Sequence, residues 1–465
     1  MKLNLELARK YSRPGPRYTS YPTAPQFGEA VGAEDYLNEL SNPQVPVTPE
    51  ISLYFHLPFC RSLCYFCACN VIITHRREPI ADYLQLLKKE IDLVARHMAD
   101  GRKVGQLHWG GGTPTYLTAD EIKDLMGHIR SRFAFSADAE VSVEIDPREL
   151  SADQAEALAE AGFNRASCGL QDFNGEVQKA VNRLQSYEQT EGVLELLRDN
   201  GIEHVNLDLI YGLPHQTVES FARTLEQVLT LHPSRLAVYN YAYVPWLKKN
   251  QTMIDEAWLP GPEVKLEMFA HIITALTTTG NMTFIGMDHF ARHDDELATA
   301  LERGALHRNF QGYSTRAGLD LYALGITSIG QTRNYYVQNH KQISRYRQSV
   351  EAGQLPTERG IRLTDEDHLR RRVIQDIMCR FELNLPDLEQ AFNIDFRDHF
   401  APELKALAPF EADDLLVDEG DRLLVTEQGR LFIRNIAMTF DAYLPKNGGG
   451  QAVATSDTPQ YSKTV

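Results

Sequence analysis

Four of the chain's six cysteines, Cys60, Cys64, Cys67 and Cys69, fall within ten residues, in the order C-x3-C-x2-C-x-C. Thiols so closely spaced would close only tiny disulfide loops, so their chemistry is metal binding or catalysis. A structural zinc site pairs C-x2-4-C with a second, distant Cys or His pair, and no such pair is evident in the sequence. An iron–sulfur cubane instead takes soft thiolates converging on one loop, ordinarily four of them. Cys60, Cys64 and Cys67 can wrap one cluster and leave one iron without a protein ligand, open to a substrate or cofactor. Cys69 is expected to lie near the site without ligating, with a fourth-ligand role the alternative. Cys168 and Cys379 stand alone in apolar surroundings and read as buried small residues.

A loop of this kind needs a scaffold, and the rest of the sequence supplies one. Apolar, β-branched runs of strand length alternate with amphipathic stretches of helix length, which is the signature of parallel βα units. Strands are predicted over 51–56, 106–109, 141–146, 164–171, 204–211 and 236–241, with helices over 80–98, 119–132, 152–161, 187–200, 218–231 and 262–279. Thr118 and Ser151 are expected N-caps, each followed three residues on by Glu121 or Gln154, while Gly162, Gly201 and Gly280 stand where C′ glycines belong. Six such units fall short of the eight of a closed barrel, so the expected fold is α/β, an incomplete (βα)6 TIM-like barrel.

In such barrels the chemistry gathers at the C-terminal ends of the strands. The first predicted strand runs into the cysteine loop, the second into Gly110-Gly111-Gly112-Thr113-Pro114-Thr115, and the third into Glu144 and Asp146. The others deliver Gln171, Asp208 and Tyr241-Ala242. A single acid there is commonly a loop cap and a lone glycine triplet commonly a turn. All the endings together at one rim point to a site.

The expected organisation is an N-terminal covering segment, 1–45, a core over 46–280, a barrel-flanking segment over 281–362, a small, mainly helical C-terminal domain over 363–445, and a disordered tail, 446–465. In the C-terminal domain, 364–380 reads as a charged helix, and 413–440 as a short helix, a hairpin around Gly420 and a final helix. A formal net charge of -16 argues against a nucleic-acid coat, and no uninterrupted apolar run is long enough for a membrane span. The first twenty residues carry no apolar signal-peptide core, so the cytoplasm is the expected compartment. No exposed apolar stripe is evident, which favours a monomer.

Residues 15–24 (GPRYTSYPTA), 56–70 (HLPFCRSLCYFCACN), 107–117 (LHWGGGTPTYL), 144–148 (EIDPR), 206–214 (NLDLIYGLP) and 285–292 (IGMDHFAR) resemble the oxygen-independent coproporphyrinogen III oxidases. These are radical S-adenosylmethionine (SAM) enzymes, and the resemblance runs from near the N-terminus to about residue 445. One position departs from the family pattern, C-x2-C-G-C, because Ala68 stands where the glycine would be. If that position required a left-handed backbone, alanine would be strained there by of order 1 kcal/mol.

The resemblance implies a [4Fe–4S] cluster held by Cys60, Cys64 and Cys67, with one SAM on it surrounded by Tyr54, Phe66, Gly111, Glu144 and Ile329. It implies a second SAM at Gly112, Thr113, Gln171, Arg183, Asp208 and Ala242. The implied reaction is reductive cleavage of SAM to a 5′-deoxyadenosyl radical, which oxidatively decarboxylates two propionates of coproporphyrinogen III to vinyl groups. The product would be protoporphyrinogen IX in haem biosynthesis, and a flavodoxin or ferredoxin is the kind of low-potential electron donor expected. Four propionates call for local cations in an acidic chain, for which Arg13, Arg17, Arg292, Arg308, Arg316 and Arg333, with Tyr18 and Tyr21, are candidates. Haem-binding chaperones that look like these enzymes typically lack both the fourth cysteine and the GPRYTSYPTA stretch. This chain has both.

Overall fold

The computed structural model describes residues 3–42, 48–99, 101–444, 461 and 464. The predicted tail, 446–465, lies outside the described residues apart from Tyr461 and Thr464. Two compact units divide the chain, one comprising 27–260 with 318–362, the other 1–26, 261–317 and 363–465.

The first unit holds all six predicted βα strands. They are β1 (Glu50–Leu57), β2 (Lys103–Gly111), β3 (Ala134–Ile145), β4 (Arg165–Gln171), β5 (His204–Tyr211) and β6 (Arg235–Asn240). Helices α1 (Glu78–His97), α2 (Ala119–Arg132), α3 (Ala152–Glu160), α4 (Tyr187–Asp199) and α5 (Val218–Thr230) connect them. Four further strands follow in the same unit, β7 (Asp320–Leu324), β8 (Ile329–Gln331), β9 (Tyr335–Asn339) and β10 (Thr357–Arg362). Within this unit the strands are ordered β10-β9-β8-β7-β1-β2-β3-β4-β5-β6. Strands β1 to β6 pair in parallel and in chain order, and β7 adds a further parallel partner to β1.

Local chemistry accounts for these elements. β1 is buried along nearly its whole length, as expected for a parallel strand covered on both faces. On α1 the buried residues Ile80, Tyr83, Leu84, Leu87, Ile91 and Val94 recur every three or four positions and form one apolar stripe. Thr118 and Glu121 complete a capping box at the start of α2, with Glu121 accepting from the Thr118 N–H at 2.9 Å. Gly162 and Gly201 end their helices at φ +90° and +82°, the left-handed region that favours glycine. Gly280 does not. Its φ is -74°, because the helix Pro262–Thr274 widens into a π-turn over Ala275–Thr279 and the left-handed residue is Asn281.

The second unit contains the charged helix Asp365–Arg380, as its charge pattern predicts. A hairpin, Leu416–Asp418 with Arg422–Val425, turns at Gly420, and Glu382–Asn384 adds a third strand to it. The short helix expected from Asp413 onward is displaced. Asp413 instead caps the end of the helix Ala401–Ala412, and the chain passes from there directly into the hairpin.

Candidate active site

The cysteine loop leaves the end of β1 and is fastened on several sides. The glycine turn after β2 closes against it, with the Gly112 N–H donating to Leu57 O at 2.9 Å and the Thr113 N–H to Phe59 O at 2.8 Å. A Cβ on Gly112 would lie 2.6 Å from the Pro58 backbone, so only glycine allows this approach. Asn182 Nδ2 donates to Leu63 O at 2.8 Å, and the Tyr65 N–H donates to Val181 O. Asn250 Nδ2 reaches the carbonyls of Cys64, Tyr65 and Cys67 at 3.4, 3.1 and 2.8 Å. The neighbouring Gln251, fully buried, donates to Phe66 O at 2.9 Å. Ala68 within this loop does not adopt a left-handed conformation, so alanine is unstrained where the family pattern has glycine.

Cys60, Cys64, Cys67 and Cys69 all line one cavity of about 310 Å³. Thr113 Oγ1 donates to Cys60 Sγ at 3.3 Å, although burial pushes the Cys60 thiol up to about 12. The Cys69 thiol donates to Cys67, which lowers Cys67 to about 7 and raises Cys69. Arg183 and Arg148 flank Cys64 Sγ at 3.6 and 3.7 Å.

Facing the sulfurs are the carboxylates that end the strands. Glu144 Oε2 accepts from the Gly111 N–H at 3.0 Å, and Oε1 lies 3.4 Å from His108 Nε2. Burial alone would raise the Glu144 carboxyl, but the His108 contact and the Gly111 N–H outweigh it and hold the group below its usual range. His108 is itself braced, stacked on Tyr54 with ring centroids 5.9 Å apart and bonded to Ser142 at 2.7 Å. Asp208 accepts from Asn206 at 2.8 Å and Ser167 at 3.0 Å. Burial, and then the charge of Glu144, push Asp208 up to about 6. No basic side chain pairs with Asp208 among the described residues, which leaves its charge available to a cationic ligand.

Of the residues singled out in the sequence, Phe66, Gly111, Gly112, Thr113, Glu144, Gln171, Arg183 and Asp208 line this cavity with the cysteines. Tyr54, Ala242 and Ile329 are not among its lining residues: Tyr54 packs on His108, Ala242 O accepts from Gln251, and Ile329, on β8 two strands from β1, pairs with Gln338. Arg183 is 6% exposed, bound to Asp146 at 3.0 Å and to Gly169 O at 2.5 Å, rather than a solvated helix-end cation. The cavity also takes in Arg148, Ser167 and Tyr239, to which the sequence reading gave no role. Arg148 lies inside the EIDPR run, and Tyr239 stands two residues before the predicted end of its strand, so both were within reach of pattern reading. Asn250 and Gln251 carry no sequence signal for their work on the loop.

The candidate propionate-binding arginines other than Arg333 belong to the second unit. There Arg17 pairs with Asp288, and Arg308, 3% exposed, donates through Nε to Arg17 O at 3.3 Å. Arg292 pairs with Asp294 in an exposed position, Arg13 is exposed, and Tyr18 and Tyr21 are buried. Arg333, in the first unit, is exposed.

Residues 54–228 match the Radical SAM superfamily, and residues 363–432 match the HemN C-terminal domain. An oxygen-independent coproporphyrinogen III oxidase of Escherichia coli K12 is 48% identical over 441 residues, covering 95% of both chains. One of Helicobacter pylori J99 is 46% identical over 444 residues, covering 95% of this chain and 97% of that one. The chain belongs to the oxygen-independent coproporphyrinogen III oxidase family. A solved structure described as coproporphyrinogen III oxidase (HemN) from Escherichia coli, a radical SAM enzyme, superposes with a TM-score of 0.90 at 46% identity over 96% of this chain and all of that one. Membership makes the chain a radical SAM oxidoreductase, and that superfamily works with a [4Fe–4S] cluster and SAM.

The residues present fit those groups. Among the described residues no three His, Cys, Asp or Glu converge tightly enough to chelate a single ion, yet the loop thiols share one larger space. Soft sulfur, carboxylates and a glycine turn lining one space form a donor set suited to a cluster carrying a zwitterionic nucleoside. No described helix is long and apolar enough to cross a membrane.

Proposed function

We propose that the chain converts coproporphyrinogen III to protoporphyrinogen IX without oxygen, turning two propionate side chains into vinyl groups with loss of carbon dioxide. Cys60, Cys64 and Cys67 hold the cluster, leaving one iron for SAM, and Cys69 stands beside them without ligating. When bound, the cluster and SAM supply a 5′-deoxyadenosyl radical, the agent that removes hydrogen from a propionate carbon. The protein's own residues bind and orient. Glu144, fixed by Gly111 and His108, would hold the first SAM, together with Phe66, which lines the same cavity, while Tyr54 stacks on His108. Asp208 offers an unpaired carboxylate to a ribose hydroxyl or an ammonium, and with Gly112, Thr113, Gln171 and Arg183 it forms the place for a second SAM. Ala242 and Ile329 belong to these sites by resemblance alone. The electron comes from a low-potential carrier such as a flavodoxin or ferredoxin, and the enzyme acts as a cytoplasmic monomer.

One observation carries this reading. The four loop thiols and residues of β2 to β6 line a single cavity in a chain of this family. The test is anaerobic incubation of the reconstituted protein with coproporphyrinogen III, SAM and a reductant, followed by chromatography. Protoporphyrinogen IX should appear with methionine and 5′-deoxyadenosine. Haem binding without vinyl product would overturn the reading, as would one tightly bound zinc per chain without visible absorption.

A further inference from the structure

Each thiol proposed to hold the cluster meets a different donor. Cys60 accepts from the Thr113 hydroxyl and Cys67 from the Cys69 thiol, both neutral groups. Cys64 instead accepts from guanidinium groups, with Arg183 Nη1 at 3.6 Å and Arg148 Nη2 at 3.7 Å from its sulfur. Asp146 locks both guanidiniums in place. Its Oδ2 accepts from Arg183 at 3.0 Å and from Arg148 Nη2 at 2.6 Å, while Oδ1 accepts from Arg148 Nε at 2.9 Å.

The charges of this buried group do not cancel without the sulfur. Two guanidiniums face one carboxylate, and the nearby Glu149 is paired with Arg61 at 3.6 Å. A buried cation without a counter-charge is costly, and as a cluster ligand Cys64 would bind through negatively charged sulfur. Hydrogen bonds to the sulfurs and the net charge around a cluster are what set its reduction potential. A donor and a positive charge on a ligand sulfur favour the state that carries the extra electron.

We propose that Arg148, together with Arg183, raises the reduction potential of the cluster through charge-assisted hydrogen bonds to the Cys64 sulfur. Arg148 acts through Cys64 and is a positioning and tuning residue. The proposal rests on the cluster reading above and goes beyond it in assigning Arg148 and in singling out Cys64 among the three thiols. Because Arg183 is also expected to meet SAM, Arg148 is the residue on which to test it.

The experiment is a redox titration of the full-length, anaerobically reconstituted protein without SAM, followed by electron paramagnetic resonance. Arg148→Met should lower the reduced-to-oxidised ratio at fixed potential about tenfold, which is about 59 mV for a one-electron couple. Arg148→Lys, which keeps the charge, should recover most of that loss. Glu149→Gln, which removes a nearby charge without contact to Cys64, should shift the potential much less than Arg148→Met and in the opposite direction. If Arg148→Met fails to retain iron, Arg148→Gln, which keeps an N–H donor without the charge, should shift the potential the same way by less. An unchanged or raised potential in a variant with full iron content and an unaltered spectrum overturns the proposal while leaving the cluster reading intact. A wild-type protein that takes up no cluster overturns both.

Discussion

The Gly111 N–H donates to a Glu144 carboxylate oxygen at 3.0 Å, so the acid ending β3 holds the turn that ends β2. Gly111 meets that oxygen at φ +111°, where a Cβ would lie 2.5 Å from the His56 ring. Alanine there is therefore opposed by both backbone and neighbour. Gly111→Ala is expected to cost about 1–3 kcal/mol from the backbone alone. Thermal unfolding should register this as a lower midpoint, and the variant should also bind SAM more weakly. Wild-type stability would contradict the reading.

Cys69 gives the sharpest test of ligand number. Its thiol donates to Cys67, a supporting role that does not require it to bind iron. Cys69→Ala should keep the iron and sulfide content of the wild type, with a modest change in the visible spectrum. Alanine at Cys60, Cys64 or Cys67 should abolish cluster uptake. Loss of the cluster from Cys69→Ala alone would make it a fourth ligand.

Asn250 lies far in sequence from the loop it serves. One amide nitrogen faces three loop carbonyls, those of Cys64, Tyr65 and Cys67. Cys64 O keeps the Cys67 N–H at 3.2 Å, but removing Asn250 takes this donor from the part-buried Tyr65 and Cys67 carbonyls, at about 1 kcal/mol. Asn250→Ala should reconstitute but release iron to a chelator several-fold faster than wild type. Equal release rates would show that the loop holds itself.

Asp208 should impose a pH dependence on binding. Burial and the charge of Glu144 raise it to about 6, so below that pH it is protonated and offers no charge to a cationic ligand. SAM affinity is expected to rise with pH up to about 6 and then level off. Asp208→Asn should bind more weakly and lose that dependence. Equilibrium binding measured from pH 5 to 8 decides it, and a profile identical in the two proteins would exclude Asp208 from the site.

Much of this arrangement was legible in the sequence because it follows from periodicity. The six parallel strands and their helices stand where alternating apolar runs place them, and the rim residues follow because parallel strands end on one side. The first half of β3, residues 134–140, was not legible, since it is half-exposed and lacks the buried apolar run that marked its second half. Strands β7 to β10 were missed for a related reason. They follow no βα alternation, and β7 joins β1 across more than two hundred residues. Asn250 and Gln251 escaped because a polar side chain's partner is set by tertiary approach, which no local pattern encodes.

Glu90 lies behind the site, fully buried in α1, and ties several separate stretches of chain together. Its carboxylate accepts from the Gly325 N–H at 2.7 Å, Tyr346 Oη at 2.6 Å and Asn339 Nδ2 at 2.7 Å. Nearby, Tyr83 Oη donates to His56 O, where β1 approaches the cysteine loop. Burial raises the Glu90 carboxyl to about 7 despite these three donors. The sign follows directly. Between the ordinary carboxylate range and pH 7 the folded protein binds a proton that the unfolded chain has released, so stability falls as pH rises through that window and levels off above it. The loss is on the order of 3 kcal/mol. Glu90→Gln cannot ionise and should lack this slope. Any hydrogen bond it forfeits is pH-independent, so the difference between the two slopes isolates Glu90. Unfolding midpoints measured from pH 4.5 to 8 should therefore converge towards high pH if the variant is the less stable at low pH. Parallel curves would mean that Glu90 stays ionised throughout.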